Sequence, residues 1–125
     1  MFIVLIHWRI KATDEHVSSF RDFWKKMSIN NDNNLVGEFL SEPMAAEDVT
    51  YPIDPVIPNE PIPYISFVNV GLWKDEPSFH AEIGKYIPPP GSALKDFEQY
   101  PRRRIPMNPL LWRRGKFQLP VANAL

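Results

Sequence analysis

The sequence of 125 residues has no cysteine and no apolar run long enough to cross a membrane. Without cysteine the chain can form neither disulfides nor a thiolate nucleophile, and it lacks the ligands of cysteine-based zinc and iron–sulfur sites. The apolar opening MFIVLI is too short for a transmembrane helix and lacks the basic start of a signal peptide. These absences predict a cytoplasmic protein without a membrane partner.

Acidic residues are missing from one part of the chain. Residues 1–100 hold 15 acidic and 8 basic residues, whereas residues 101–125 hold no acidic residue and six basic ones: Arg102, Arg103, Arg104, Arg113, Arg114 and Lys116. An acidic body repels phosphate backbones, so no nucleic-acid partner is expected. We interpret the basic C-terminal segment, at about 101–125, as an edge that docks on the acidic body or on a partner subunit.

The length predicts a single domain over residues 1–125, with a core that needs no disulfides. Residues 2–11, FIVLIHWRIK, are rich in branched and aromatic side chains, as β-strands are. Thr13 or Asp14 then begins a helix whose apolar residues recur every three or four positions. The sequence NNDNN ends this helix, and LVGEFLSE is the second predicted strand.

The second half of the chain contains an insert followed by a strand and a helix. Six prolines between residues 43 and 63 indicate a long loop or a stiff extended arm. Residues 64–73 form the third predicted strand, and Asp75 or Glu76 begins the second helix. The stretch SALKDFEQY is expected to form a short third helix. The region 102–118 should contain the fourth strand, at an edge because proline cannot donate a ladder hydrogen bond.

The predicted order is β-α-β, a long loop, and β-α-(α)-β. This is the α+β, ferredoxin-like split βαβ pattern with a four-stranded antiparallel sheet. Helices can cover only one face of such a sheet, yet the first and third strands are apolar on both faces. A second subunit packed face to face would cover the other side, so a homodimer is predicted.

Polar residues on two strands suggest a small-molecule cleft. One face of the third strand is wholly apolar and is expected to pack on the helices. The other face carries Asn69 and Trp73, and we expect it to face the partner together with His7 and Arg9 of the first strand. A few polar groups on an apolar concave surface are typical of ligand sites. His80, on the following helix, is placed at the mouth.

Each of these residues also has a purely structural interpretation. Asn69 can satisfy a buried backbone group, and Trp73 can fill the core or an interface. His7 can be a hydrogen-bonded interface residue, His80 a solvated one, and Arg9 the partner of a carboxylate. No phosphate-binding glycine loop or hydrolase motif is present, and three scattered histidines give no ligand set for a structural metal.

Two stretches, VLIHWRIKATDEHVSSFRDFW and FVNVGLWKDEPSFHAEIGKY, resemble the antibiotic biosynthesis monooxygenase family of dimeric α+β barrels. The resemblance covers roughly residues 2–42 and 64–88. Its most specific element is an Asn four residues before a Trp, followed by an acidic helix start. The Pro-rich insert and the basic C-terminal segment are not part of the pattern.

The resemblance implies an enzyme that oxygenates electron-rich phenols with no metal or flavin, so no cofactor is expected. Asn69 and Trp73 would then hydrogen-bond substrate oxygens. His7 or His80 as base and Arg9 as anion stabiliser are inferred from face and residue type alone. A second branch of the superfamily binds haem through an Asn on strand one, a Trp and a helical His, and this sequence does not match its strand-one Asn.

The preferred hypothesis is therefore a cofactor-independent monooxygenase-like enzyme acting on a small aromatic or quinone-like compound. The alternative is a non-catalytic dimeric protein that binds a small hydrophobic ligand or a protein partner. An enzyme should have a pocket on which Asn69 and a histidine converge. A binding or structural protein should have that volume filled by aromatic side chains.

Overall fold

The computed structural model describes residues 1–27, 29, 32–44 and 63–116. Most of the Pro-rich insert predicted at 43–63 and the last part of the basic C-terminal segment lie outside the described residues. The predictions made for those parts of the chain stay predictions.

The described residues form a four-stranded antiparallel sheet with two α-helices, in the order β1-α1-β2-β3-α2-β4. The strands lie side by side as β2-β3-β1-β4. This is the ferredoxin-like arrangement, and the predicted fold class is confirmed. The elements are β1 (Phe2–Lys11), α1 (Asp14–Lys26), β2 (Leu35–Ser41), β3 (Tyr64–Trp73), α2 (Glu76–Ile83) and β4 (Glu98–Met107), with 3-10 turns at Asp32–Asn34 and Gly84–Tyr86.

Both helices begin where the sequence predicts, because a side chain caps each N-terminus. Thr13 Oγ1 accepts a hydrogen bond from the backbone N–H of His16, at 3.2 Å. The Asp75 carboxylate accepts one from the backbone N–H of Ser78, at 2.8 Å. The side chain of Ser78, followed by this backbone bond, lowers the pKa of Asp75 below its ordinary value. Such caps satisfy N–H groups that have no partner inside the helix.

The prediction of a third helix over SALKDFEQY is wrong. Residues 92–97 are not helical, and Glu98 already belongs to β4, where it pairs with Ile10. The backbone N–H of Lys11 also donates to the carbonyl of Phe97, at 2.9 Å. The helical pattern is too short to be stable alone, so pairing with a long neighbouring strand prevails.

β4 is an edge strand, as its prolines predict, although it begins earlier than expected. Its pairing with β1 is irregular between His7 and Arg9, where Trp8 faces the bulged pair Pro101 and Arg102. Bulges of this kind are frequent at sheet edges, and they accommodate proline and redirect side chains.

The core lies between the helices and one face of the sheet. It is largely aromatic: Phe20 of α1 packs 5.0 Å from Trp8 and 5.1 Å from Phe67, and Phe79 of α2 packs 5.7 Å from Trp73, measured between ring centroids. These five rings are at most 3% exposed. Aromatic side chains bury large areas, so they decide which face of each strand turns inward.

The predicted orientation of β3 is therefore wrong. In an antiparallel pair, directly opposite residues lie on the same face, and Asn69 lies opposite Ile6 while Trp73 lies opposite Phe2. Asn69 and Trp73 thus belong to the helix-covered face. His7 lies opposite Val68, on the face that the helices leave open.

The open face of the sheet is apolar along its two central strands. Ile3, Leu5, Val68, Val70 and Leu72 lie on it and are only partly buried.

In the described part of the chain no helix has the length and apolarity needed to cross a membrane. Beyond β4, Leu110, Leu111 and Trp112 are 93%, 94% and 76% exposed, so this stretch does not dock on the described body of its own chain.

A side chain at Gly71 is expected to destabilise the fold, whereas one at Gly84 is not. A Cβ at Gly71 would lie 2.8 Å from Trp73 Nε1 and 3.1 Å from Val4 Cγ1, whereas one at Gly84 meets nothing within 4 Å. Gly71→Ala should lower the free energy of unfolding by about 1–3 kcal/mol through overpacking. Gly84 has helical φ and ψ, so Gly84→Ala should raise it by about 0.5–1 kcal/mol. Urea denaturation of the two variants checks this, and equal effects would contradict it.

Candidate functional site

Asn69 is the centre of a hydrogen-bonded chain on the helix-covered face. Its side chain is 1% exposed. Trp24 Nε1 of α1 donates to Asn69 Oδ1 at 2.6 Å, and Asn69 Nδ2 donates to Glu38 Oε1 of β2 at 2.9 Å. Because the indole N–H can only donate, it fixes which side of the amide faces which partner. Both polar atoms of Asn69 are thus occupied by the protein itself.

Sequence reasoning missed the two partners of Asn69. Trp24 is one of the apolar residues that recur along the first predicted helix, and Glu38 lies within the predicted strand LVGEFLSE. A signal existed for Glu38, since a carboxylate in the middle of the short strand LVGEFLSE is unusual. Its position opposite Gly71, which puts it on the inward face, follows only from the strand register.

Trp73 fills the core beside this chain. Its side chain is 0% exposed and packs edge-on against Phe79. Its indole Nε1 is buried without a hydrogen-bond partner among the described residues, and it lies over Gly71. Trp73 therefore occupies the space in which a substrate contact was predicted.

His7 and Arg9 lie on the opposite, open face of the sheet. His7 Nε2 is 2.8 Å from Ser66 Oγ. Arg9 Nη2 donates to the carbonyl of Pro101 at 2.7 Å, and its guanidinium carbon lies 5.0 Å from the centroid of the Tyr100 ring. The predicted grouping of His7 and Arg9 with Asn69 is wrong, because the sheet separates them.

His80 lies on the outer surface of α2. Its side chain is 54% exposed, and its Nε2 lies 3.4 Å from Glu76 Oε1 in the preceding turn. His7 lies on the other face of the sheet from Asn69 and Trp73, and His80 is exposed on α2. The five predicted site residues thus do not form one cluster.

The residues beside Trp73 do not fit a haem. Of the three histidines in the sequence, His7 is on the open face, His80 is on the surface of α2, and His16 hydrogen-bonds the Thr13 side chain at 2.6 Å. Trp73 itself is enclosed. Nor do the described residues contain a group of three or more acidic or histidine side chains placed to hold a metal ion.

Burial raises the pKa of Glu38 above its ordinary value, and the hydrogen bond from Asn69 only partly offsets this. A carboxyl with a raised folded-state pKa stabilises the fold at low pH, and that contribution is lost as pH rises through the folded pKa. We expect Glu38→Gln and wild type to be equally stable near pH 4. At pH 7 the variant should be more stable, by on the order of 1 kcal/mol. Urea denaturation at both pH values measures this, and Asp22→Asn, an exposed acid on α1, is the control.

A cleft of about 540 Å³ lies elsewhere, between α1, the segment 85–95 and β4. Phe23, Tyr86 and Ile87 supply apolar walls. Five charged side chains line it, the basic Lys85, Lys95, Arg102 and Arg104 and the acidic Glu98. None of the five predicted site residues borders this cleft.

One wall of the cleft is a tight turn. Pro89 O accepts a hydrogen bond from the backbone N–H of Ser92 at 3.1 Å, and Gly91 between them has φ of 79°. Pro90 followed by Gly91 with positive φ defines a type II turn. Pro88 and Pro89 restrict the backbone just before these two residues, so this wall has little conformational freedom.

The floor of the cleft is a buried ion pair. Arg102 Nη2 donates to Glu98 Oε1 at 2.5 Å, and their side chains are 6% and 2% exposed. The Arg102 guanidinium also lies 4.1 Å from the centroid of the Trp8 ring. The bulge opposite Trp8 directs Arg102 towards this ring. Glu98 was assigned to the erroneous third helix, so sequence reasoning missed this pair.

Comparisons with known proteins give a likeness to solved structures but no match to the sequence. No family model and no curated protein matches the sequence. Among solved structures, the chain is similar to the crystal structure of a MhuD mutant with two manganese protoporphyrin IX bound per active site. Sequence identity is 13%, the match covers 90% of this chain and 99% of that one, and the TM-score is 0.49.

Proposed function

We propose that the protein binds a small apolar or aromatic molecule in the cleft between α1, residues 85–95 and β4. The observation that supports this is the cleft itself, since about 540 Å³ lies within the range of about 300–1,000 Å³ typical of ligand sites. Apolar walls at Phe23 and Ile87, with charged groups at one side, match the usual lining of such sites. Of the two hypotheses from the sequence, the cleft favours a protein that binds a small hydrophobic ligand over a monooxygenase-like enzyme.

Binding of the neutral fluorescent probe N-phenylnaphthylamine tests the proposal. Ala93 lines the cleft, and Ala93→Trp should fill it and weaken binding about tenfold or more. Ala81→Trp places the same side chain on the exposed surface of α2, and it should leave binding unchanged. A wild-type protein that does not bind the probe, or an Ala93→Trp variant that binds it equally well, would reject the cleft as the site.

The proposal includes a homodimer formed through the open face of the sheet. An apolar surface spanning the central strands is large for a monomer, and a two-fold partner offers an identical, self-complementary face. We expect light scattering to give twice the chain mass of 14.5 kDa. Leu5→Arg, on the open face, should yield monomers, whereas Ala81→Arg on α2 should not. A monomeric wild-type protein would contradict the dimer.

Glu38 favours a second candidate function, the oxygenation of a small aromatic or quinone-like compound without a metal or flavin. A largely buried carboxyl with a raised pKa, held by Asn69, is the kind of group that serves as a general base. Oxygen uptake with a naphthohydroquinone measures this activity. Glu38→Gln should lower the rate about 100-fold or more, with Asp22→Asn unchanged. An uptake rate no faster than that of the substrate alone would reject this function.

A further inference from the structure

We propose that the ligand of the cleft is an organic anion, with an acidic head group held by Arg104 and an apolar body against Phe23 and Ile87. This inference rests on the proposed binding function and adds the chemical class of the ligand. It is carried by the charges of the cleft and by the state of each of its cations.

The cleft is strongly basic although the chain as a whole is not. Four basic side chains and one carboxylate line it, a formal charge of +3. The net charge of the whole protein is −1. Like charges gathered in a partly enclosed cleft repel each other, and an anion that enters relieves this repulsion.

Arg102 is already neutralised. Its guanidinium donates to both oxygens of Glu98, at 2.5 Å and 3.4 Å, and stacks over Trp8. Glu98 also accepts the backbone N–H of Lys95 at 3.4 Å. The single carboxylate of the cleft is thus held by Arg102 on its floor.

Arg104 brings a buried donor atom without an acceptor to the cleft. It lies on the same face as Ile6, its neighbour in β1, and thus points to the helix-covered side of the sheet. Its Nε is buried and has no hydrogen-bond partner among the described residues. Burial and the nearby Arg102 lower the pKa of Arg104, the charge of Glu98 partly offsets this, and arginine stays protonated in proteins. A buried N–H without an acceptor is costly, and a carboxylate or sulfonate would supply an oxygen for the Nε of Arg104.

The other two basic residues are placed around the same space. Lys95 Nζ lies 5.5 Å from the centroid of the Phe23 ring, and Lys85 Nζ lies 5.1 Å from that of Tyr86. Ammonium groups over the apolar walls raise the local potential without closing the cleft. An amphipathic acid would therefore meet apolar surface and positive charge together.

Two probes that share an aromatic body but differ in charge distinguish binding of the anionic group from binding of the aromatic body. Anilinonaphthalene sulfonate carries a negative group, and N-phenylnaphthylamine does not. We expect wild type to bind the sulfonate at least tenfold more tightly, with the preference falling as salt rises. Arg104→Met should lose this preference and still bind the neutral probe. Arg103→Met, on the same strand but facing the open side, should keep it.

Each outcome has a defined meaning. Equal binding of both probes to wild type would overturn the anion and leave the proposed binding function intact. Failure of both probes to bind would overturn the binding function and this inference with it. A sulfonate preference that survives in Arg104→Met would overturn the assignment to Arg104. Circular dichroism and urea denaturation verify that the variants are folded.

Discussion

Glu98→Ala is expected to lower the free energy of unfolding by about 3–5 kcal/mol, the largest effect of any substitution considered for this protein. Glu98 and Arg102 are almost fully buried, so removing the carboxylate leaves a guanidinium without a counter-ion in a low-dielectric site. Arg104 lines the same cleft, and the charge of Glu98 opposes the repulsion between Arg104 and Arg102. The remaining charges would therefore repel each other in the variant.

Urea denaturation measures this loss, and the exposed ion pair between Arg21 and Glu42 is the matched control. Its side chains are 50% and 59% exposed, so Glu42→Ala should cost less than about 1 kcal/mol. The double change Glu98→Leu with Arg102→Met should recover most of the loss, because replacing both charges leaves neither one unpaired. Comparable losses in Glu98→Ala and Glu42→Ala would show that the buried pair is not energetically distinct.

Asn69→Ala is expected to lower the free energy of unfolding by about 2–4 kcal/mol. The substitution removes both hydrogen bonds of a fully buried amide, so the Trp24 N–H and the Glu38 carboxyl each lose the partner that Asn69 provides. Each buried group left unsatisfied costs about 1–3 kcal/mol, and the lost side-chain atoms leave a cavity.

The pH dependence of the Asn69→Ala loss identifies its cause. The hydrogen bond from Asn69 lowers the pKa of Glu38, so its removal should raise that pKa further. The destabilisation should then be larger at pH 7, where Glu38 is ionised in the unfolded chain, than near pH 4. Asn108→Ala, at an exposed position after β4, is the control and should change stability by less than about 0.5 kcal/mol. A loss independent of pH would indicate a cavity alone.

The site was the hardest part to predict from sequence. Asn69, Trp73 and His7 attract attention by residue type, but their orientation depends on which face of β3 turns inward. A face of valine and leucine and a face with two large aromatics are both plausible inner faces, and the aromatics prevail because they bury more area. The cleft is lined by residues 85–95 and by β4. The stretch SALKDFEQY, which includes the start of β4, has a short helical pattern and was therefore predicted as a helix.

The sequence by itself determined the local elements of this protein. The bounds of β1 and β3 are those expected from their branched and aromatic composition, and both helices begin at side chains that cap them. These features depend on contacts within a few residues, so local chemistry suffices. The tertiary structure decided the register that places Asn69 between Trp24 and Glu38. It also decided the bulge that buries Arg102 on Glu98, since these contacts join residues that only the folded sheet brings together.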